Sequence, residues 1–89
     1  MIKIEIKQKK NVENGFEFLV EIDGIEYNVT LDSSYWRRLS GGRYEPEELV
    51  RKSFEFLLER ESKEAILRKF DLKVISQYFP EYEQTIQQI

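Results

Sequence analysis

Along the first third of the chain, apolar residues fall at every second position. Phe16, Phe18, Val20 and Ile22 alternate with Glu17, Leu19 and Glu21. Ile25, Tyr27, Val29 and Leu31 alternate with Glu26, Asn28, Thr30 and Asp32. A period of two puts each apolar set on one face of an extended strand. Asp23-Gly24 separates the two runs. That pair favours a two-residue type I′ turn, in which both central residues need positive φ. The turn sets Ile22 opposite Ile25, Val20 opposite Tyr27, Phe18 opposite Val29 and Phe16 opposite Leu31. Turn chemistry and apolar pattern thus specify one register. The opposite face sets Glu21 against Glu26, a like-charge pair that calls for solvent or a neighbouring base.

Ile2, Ile4 and Ile6, with Lys3, Glu5 and Lys7 among them, predict a first strand beside the second. Its lysines would then lie near Glu17 and Glu21. Parity is the difficulty. A two-residue Asn14-Gly15 turn would pair odd with even positions and turn the isoleucines to the polar face. The expectation is a bulged or longer loop of odd length, with Gly15 in the left-handed region.

After Leu31 the period becomes helical. Asp32 or Ser33 can cap a short helix that Gly41-Gly42 ends. Pro46 opens a longer helix, with Glu47 and Glu48 at its positive end. Leu49, Val50, Phe54, Phe56, Leu57 and Leu58 spread over a wide arc of that helix, enough for more than one neighbour or for an oligomer contact. Ser62 and Asp71 can cap two further segments, and Pro80 precedes a last short helix through Tyr82, Ile86 and Ile89. A helix-turn-helix over 62–82 is disfavoured. Its second helix offers only Lys73, Ser76 and Gln77, where a DNA-reading helix needs bases at its start.

The predicted fold is therefore α+β. A three-stranded antiparallel meander (2–9, 16–22, 25–32) is followed by four or five short-to-medium helices packed on one face. Helix 46–61 should cross Phe18, Val20, Tyr27 and Val29. One domain is expected over 1–89, with a strand half 1–32 and a helical half 33–89.

Composition narrows the chemistry. The 89 residues include no cysteine and no histidine. That removes disulfides, thiolate nucleophiles, cysteine zinc sites and the commonest general base. No cofactor and no metal are expected, and the chain reads as a non-enzyme. No phosphate-loop pattern follows Gly41-Gly42. The carboxylates of Glu45, Glu47 and Glu48 have an adequate role as a helix start. Glu55 and Glu59 share a helix face but would need outside ligands to hold a cation. Net charge is −3 and the pI about 5.1, which argues against nucleic acid as a partner. Residues 11–34 hold Glu13, Glu17, Glu21, Asp23, Glu26 and Asp32 with no base. No apolar run has membrane-spanning length, and residues 1–6 alternate apolar and charged types, unlike a signal peptide. A cytoplasmic location is the expectation.

Trp36, Arg37, Arg38 and Arg43 form the candidate site: one large ring and three guanidiniums beside a glycine turn, fit to dock a phosphate, a carboxylate or an acidic segment. The structural alternative puts Trp36 in the core and pairs the arginines with nearby glutamates. The function expected is a non-enzymatic interaction module, homodimeric or with a protein partner, and without a small-molecule substrate. The alternative is a nucleic-acid-linked or antitoxin-like regulator that neutralises a basic partner.

The residues Glu48-Leu49-Val50-Arg51, Phe54 through Glu61, Ile66-Leu67, Phe70-Asp71-Leu72, Ile75 and Tyr78-Phe79-Pro80-Glu81-Tyr82 resemble a group of small uncharacterised prokaryotic proteins. The resemblance covers the C-terminal half. It implies a prokaryotic, soluble, single-domain protein and makes Arg60 and Asp71 part of the pattern. It supplies no activity, so no catalytic residue is carried over. Arg60 lies in the apolar arc of its helix, where a charge needs a carboxylate or carbonyl partner. It is expected to be structural.

Overall fold

The computed structural model describes residues 2–88. Four strands, β1 (Ile4–Val12), β2 (Gly15–Ile22), β3 (Ile25–Asp32) and β4 (Lys69–Asp71), form one sheet in that order. Four helices, α1 (Ser33–Ser40), α2 (Pro46–Leu58), α3 (Ile75–Tyr78) and α4 (Tyr82–Gln88), complete an α+β architecture. Ile89, expected at the end of the last helix, and Met1 lie outside the described residues.

The β2–β3 hairpin takes the predicted register, with Ile22 paired to Ile25 and Phe16 to Leu31. Asp23 and Gly24 have φ of 50° and 83°, as a type I′ turn requires. Phe18, Val20, Ile22, Tyr27, Val29 and Leu31 are buried, whereas Glu17, Glu26 and Asn28 on the opposite face are exposed.

The β1–β2 connection differs from the expectation. It is a tight two-residue turn, Glu13-Asn14, between paired Val12 and Gly15. Asn14 takes the left-handed conformation (φ 71°), which asparagine tolerates well. Parity is restored inside the ladder: Ile6 pairs with Val20 but Gln8 pairs with Leu19, leaving Lys7 as an extra residue. This bulge returns Ile4 and Ile6 to the core side. Gly15 serves a different purpose, because a Cβ there would collide with the Leu31 carbonyl oxygen of the neighbouring strand. Lys7 Nζ reaches Glu5 at 3.2 Å and Glu21 at 3.3 Å, so a base relieves the acidic face.

Residues 62–71 are the main correction to the predicted fold. The expected helix is one 3-10 turn (Lys63–Ala65), followed by non-helical chain that becomes a strand at Lys69. β4 pairs parallel with β3, Asn28 with Lys69 and Thr30 with Asp71. The sheet is thus mixed and four-stranded, and the segment is not a helix-turn-helix. A helix at 62–70 would leave the outer edge of β3 unpaired, and buried main-chain groups need partners. Asp71 does cap the next turn: its Oδ1 accepts the Lys73 amide at 2.9 Å, while Oδ2 accepts the Thr30 hydroxyl at 2.8 Å.

α1 ends as predicted on Gly41, left-handed at φ 61°. Asp32 stands at its N-cap position, but its carboxylate pairs with Lys73 at 3.0 Å and does not cap. α2 starts at Pro46 and ends at Leu58, three residues before the expected limit. Its Phe54 ring lies 5.2 Å from Tyr27 and 6.0 Å from Phe70, which seats the helix on the sheet. Phe56 packs at 5.2 Å on Tyr82 and 5.8 Å on Phe79, tying α4 and the end of α3 to the same core.

Candidate functional site

The Trp36–Arg43 group is built on α1 and the turn after it, where Gly41-Gly42 reverses the chain. Trp36 is half-buried. Its ring meets Phe16 edge-on at 5.9 Å, and its Nε1–H donates to the Tyr44 carbonyl at 2.9 Å. Arg38 places both terminal nitrogens 3.3 Å from the Glu83 carboxylate. Tyr35 donates its hydroxyl proton to the same carboxylate at 2.8 Å. The Tyr35 hydrogen bond, then that of Arg38, holds Glu83 below its ordinary pKa, against the opposing effect of partial burial. Arg43 donates to the Ser40 carbonyl at 2.9 Å and the Gln87 carbonyl at 3.0 Å. Two of the three guanidiniums therefore fasten α4 to α1. Arg37 is exposed. The four side chains share a region of sequence but do not converge on one point.

The carboxylates at the start of α2 are also engaged. Glu47 pairs with Lys9 at 3.1 Å and Glu48 with Lys52 at 3.9 Å. Tyr44 OH and Glu47 Oε1 are buried with no hydrogen-bond partner among the described residues. Among the described residues no group of three or more acidic side chains could hold a metal ion. No helix there is long and apolar enough to cross a membrane.

An apolar concavity lies elsewhere. A groove of about 320 Å³ opens between the end of α2, the extended chain before β4, and α3. Leu57, Ile66, Phe70, Val74, Ile75 and Phe79 line it, with Glu61 as an ionisable wall residue. On its rim Leu67 is 51% exposed and Tyr78 67% exposed. Its shape depends on β4. Because residues 69–71 form a strand and 66–68 are not helical, Ile66 and Phe70 are buried while Leu67 stays outside. The sequence pattern did not show this site.

Arg60 lies just beyond the end of α2. Its Cζ lies 3.6 Å from the Phe56 ring centroid, Nη1–H donates to the Phe56 carbonyl at 3.0 Å, and Nε–H donates to Glu81 at 3.1 Å. Both expected partner types, a carbonyl and a carboxylate, are present. The Glu81 carboxyl is held below its ordinary pKa first by its own main-chain hydrogen bond and then by Arg60.

Comparison of the chain with protein families, with curated proteins and with solved structures finds no match.

Proposed function

We propose that this chain is a non-enzymatic interaction module whose contact surface is the groove beside β4. The observation that supports this reading is the pair of large apolar side chains, Tyr78 and Leu67, standing in solvent on the rim of an apolar concavity. Exposed apolar surface gathered around a concavity marks contact sites more often than scattered single residues do. Aromatic anchors in particular supply much of the binding energy at protein interfaces. The Trp36–Arg43 group offers less, because Arg38 and Arg43 already serve the α1–α4 junction.

Site-specific photo-crosslinking in cells that express the protein tests the reading. Tyr78→p-benzoyl-phenylalanine should give a discrete protein adduct on irradiation. The same photoreactive residue at Glu17, on the opposite sheet face, should not. Absence of an adduct from position 78 would reject the groove as a protein contact.

A further inference from the structure

β4 is the last strand of the sheet, and its outer side is an open edge. Main-chain groups of successive strand residues point alternately to either side. Asn28 N–H donates to the Arg68 carbonyl at 2.7 Å. Arg68 and Phe70 therefore address β3, and the Lys69 carbonyl and the Asp71 N–H face outward. Lys69 is exposed, and among the described residues it joins no ion pair. Asp71 is held by the neutral Thr30 hydroxyl and Lys73 amide, which orient its carboxylate, and among the described residues it joins no ion pair.

We infer that the surface beside β4 is covered by a second copy of this chain, with the two β4 strands paired antiparallel about a two-fold axis at Phe70. The inference rests on reading the groove as a contact surface and names its occupant. The strand Lys69-Phe70-Asp71 is complementary to its own reverse. Antiparallel pairing centred on Phe70 sets Lys69 opposite the partner's Asp71, and the two-fold repeats the contact. Opposite charges facing across strands stabilise the pairing, and a patch that matches itself in this way is what a two-fold dimer requires. Parallel pairing in register would set like charge on like charge. The outward Asp71 N–H meets the outward carbonyl of the partner's Lys69, again twice. The same axis brings the two grooves side by side, so that Tyr78 and Leu67 of each copy cover the apolar wall of the other. The sheet would then run through eight strands.

The opposite edge is poorly suited to such a contact. β1 carries Lys7, Lys9 and Lys10, is bulged at Lys7, and has its Ile4 carbonyl taken by Arg51 Nη1 at 2.7 Å. These are the features that keep a sheet edge from pairing.

Sedimentation equilibrium of the full chain tests the inference. The expected result is a dimer that dissociates on dilution. Lys69→Glu should raise the dissociation constant about tenfold or more, since it puts two like-charge pairs into one interface. The double reversal K69E with D71K should recover most of the loss, with circular dichroism confirming that each variant is folded. The register has its own test in a chain that lacks cysteine. Lys69→Cys and Asp71→Cys proteins, oxidised together, should form mixed disulfide dimers. Each alone should not, because its own copies lie on the diagonal, beyond about 7 Å between Cα atoms. A monomer at every concentration, a dimer indifferent to K69E, or equal disulfide formation in unmixed samples would overturn the proposal. A monomer that still gives a position-78 adduct with a different protein overturns the second-copy inference and leaves the interaction reading standing. A monomer with no adduct overturns both.

Discussion

The Arg60 guanidinium lies over the Phe56 ring, its Cζ 3.6 Å from the centroid, and donates to the main-chain carbonyl of the same residue at 3.0 Å. One side chain thus covers an aromatic face and occupies one of the unsatisfied carbonyls of the last α2 turn. No basic residue lies within that last turn, so Arg60 supplies the favourable charge from just beyond it. Arg60→Ala should cost about 1–2 kcal/mol from lost cation–π contact and carbonyl capping. Arg60→Lys should recover less than half, because an ammonium lacks the planar fork. Urea unfolding of the two variants checks both statements.

Ser53 and Tyr82 share a hydrogen bond at 2.6 Å inside the core, and the Ser53 hydroxyl also reaches the Leu49 carbonyl at 2.7 Å. Both residues are fully buried. Burial pushes the Tyr82 hydroxyl well above its ordinary pKa, against the lowering effect of Ser53. Ser53→Ala leaves that hydroxyl without a partner and should cost about 1–3 kcal/mol. Adding Tyr82→Phe to Ser53→Ala should cost less than the sum of the two single changes. A double-mutant cycle by thermal or urea unfolding gives the coupling, and strict additivity would refute the shared bond.

The bulge at Lys7 predicts an asymmetry between deletion and insertion. Deleting Lys7 brings Gln8 opposite Leu19 and Ile6 opposite Val20 without interruption, so the fold should survive with little loss of stability. Inserting one alanine after Gln8 should turn Ile4 and Ile6 toward the polar face, at about 2–4 kcal/mol for the two side chains. Denaturant midpoints of the two variants decide it. An insertion tolerated as well as the deletion would contradict this account of parity.

Stability should be flat from about pH 6 to 9, because the chain has no histidine or cysteine to titrate there. Glu5, Glu81 and Glu83 are held below the ordinary carboxylate value of 4.5. Their contribution is present above the unfolded pKa and is lost as pH falls through the folded values. Lys7, Lys63 and Lys73 are raised above 10.5 by hydrogen bonds to Glu5, Asp23 and Asp32. Their contribution is complete below 10.5 and is lost as pH rises through the folded values. Melting temperature against pH should thus show a plateau with an acid and an alkaline fall. A step near pH 6.5 would contradict it.

Local chemistry made much of the first half legible. Asp23-Gly24 admits two consecutive positive φ values, and that turn allows one register in which Phe18, Val20, Tyr27 and Val29 share a face. Gly41, Pro46 and Asp71 marked their turn, start and cap for equally local reasons. Arg60 was legible as structural because a charge within an apolar arc needs a partner, although not which one. What only the tertiary structure decided depends on partners distant in sequence. Lys7 rather than the loop absorbs the parity error, because Ile4 and Ile6 must meet a core that α2 helps to build. Residues 69–71 are extended because the edge of β3, some forty positions earlier, has main-chain groups to satisfy, and no local signal in Ser62–Asp71 reports that demand. The groove beside β4, with Tyr78 and Leu67 on its rim, follows from that pairing. The sequence alone therefore determined the hairpin, the end of α1 at Gly41, the start of α2 at Pro46 and the absence of thiol and imidazole chemistry. The packed chain decided where an apolar surface was left to face solvent, since exposure is a property of neighbours and not of the residue.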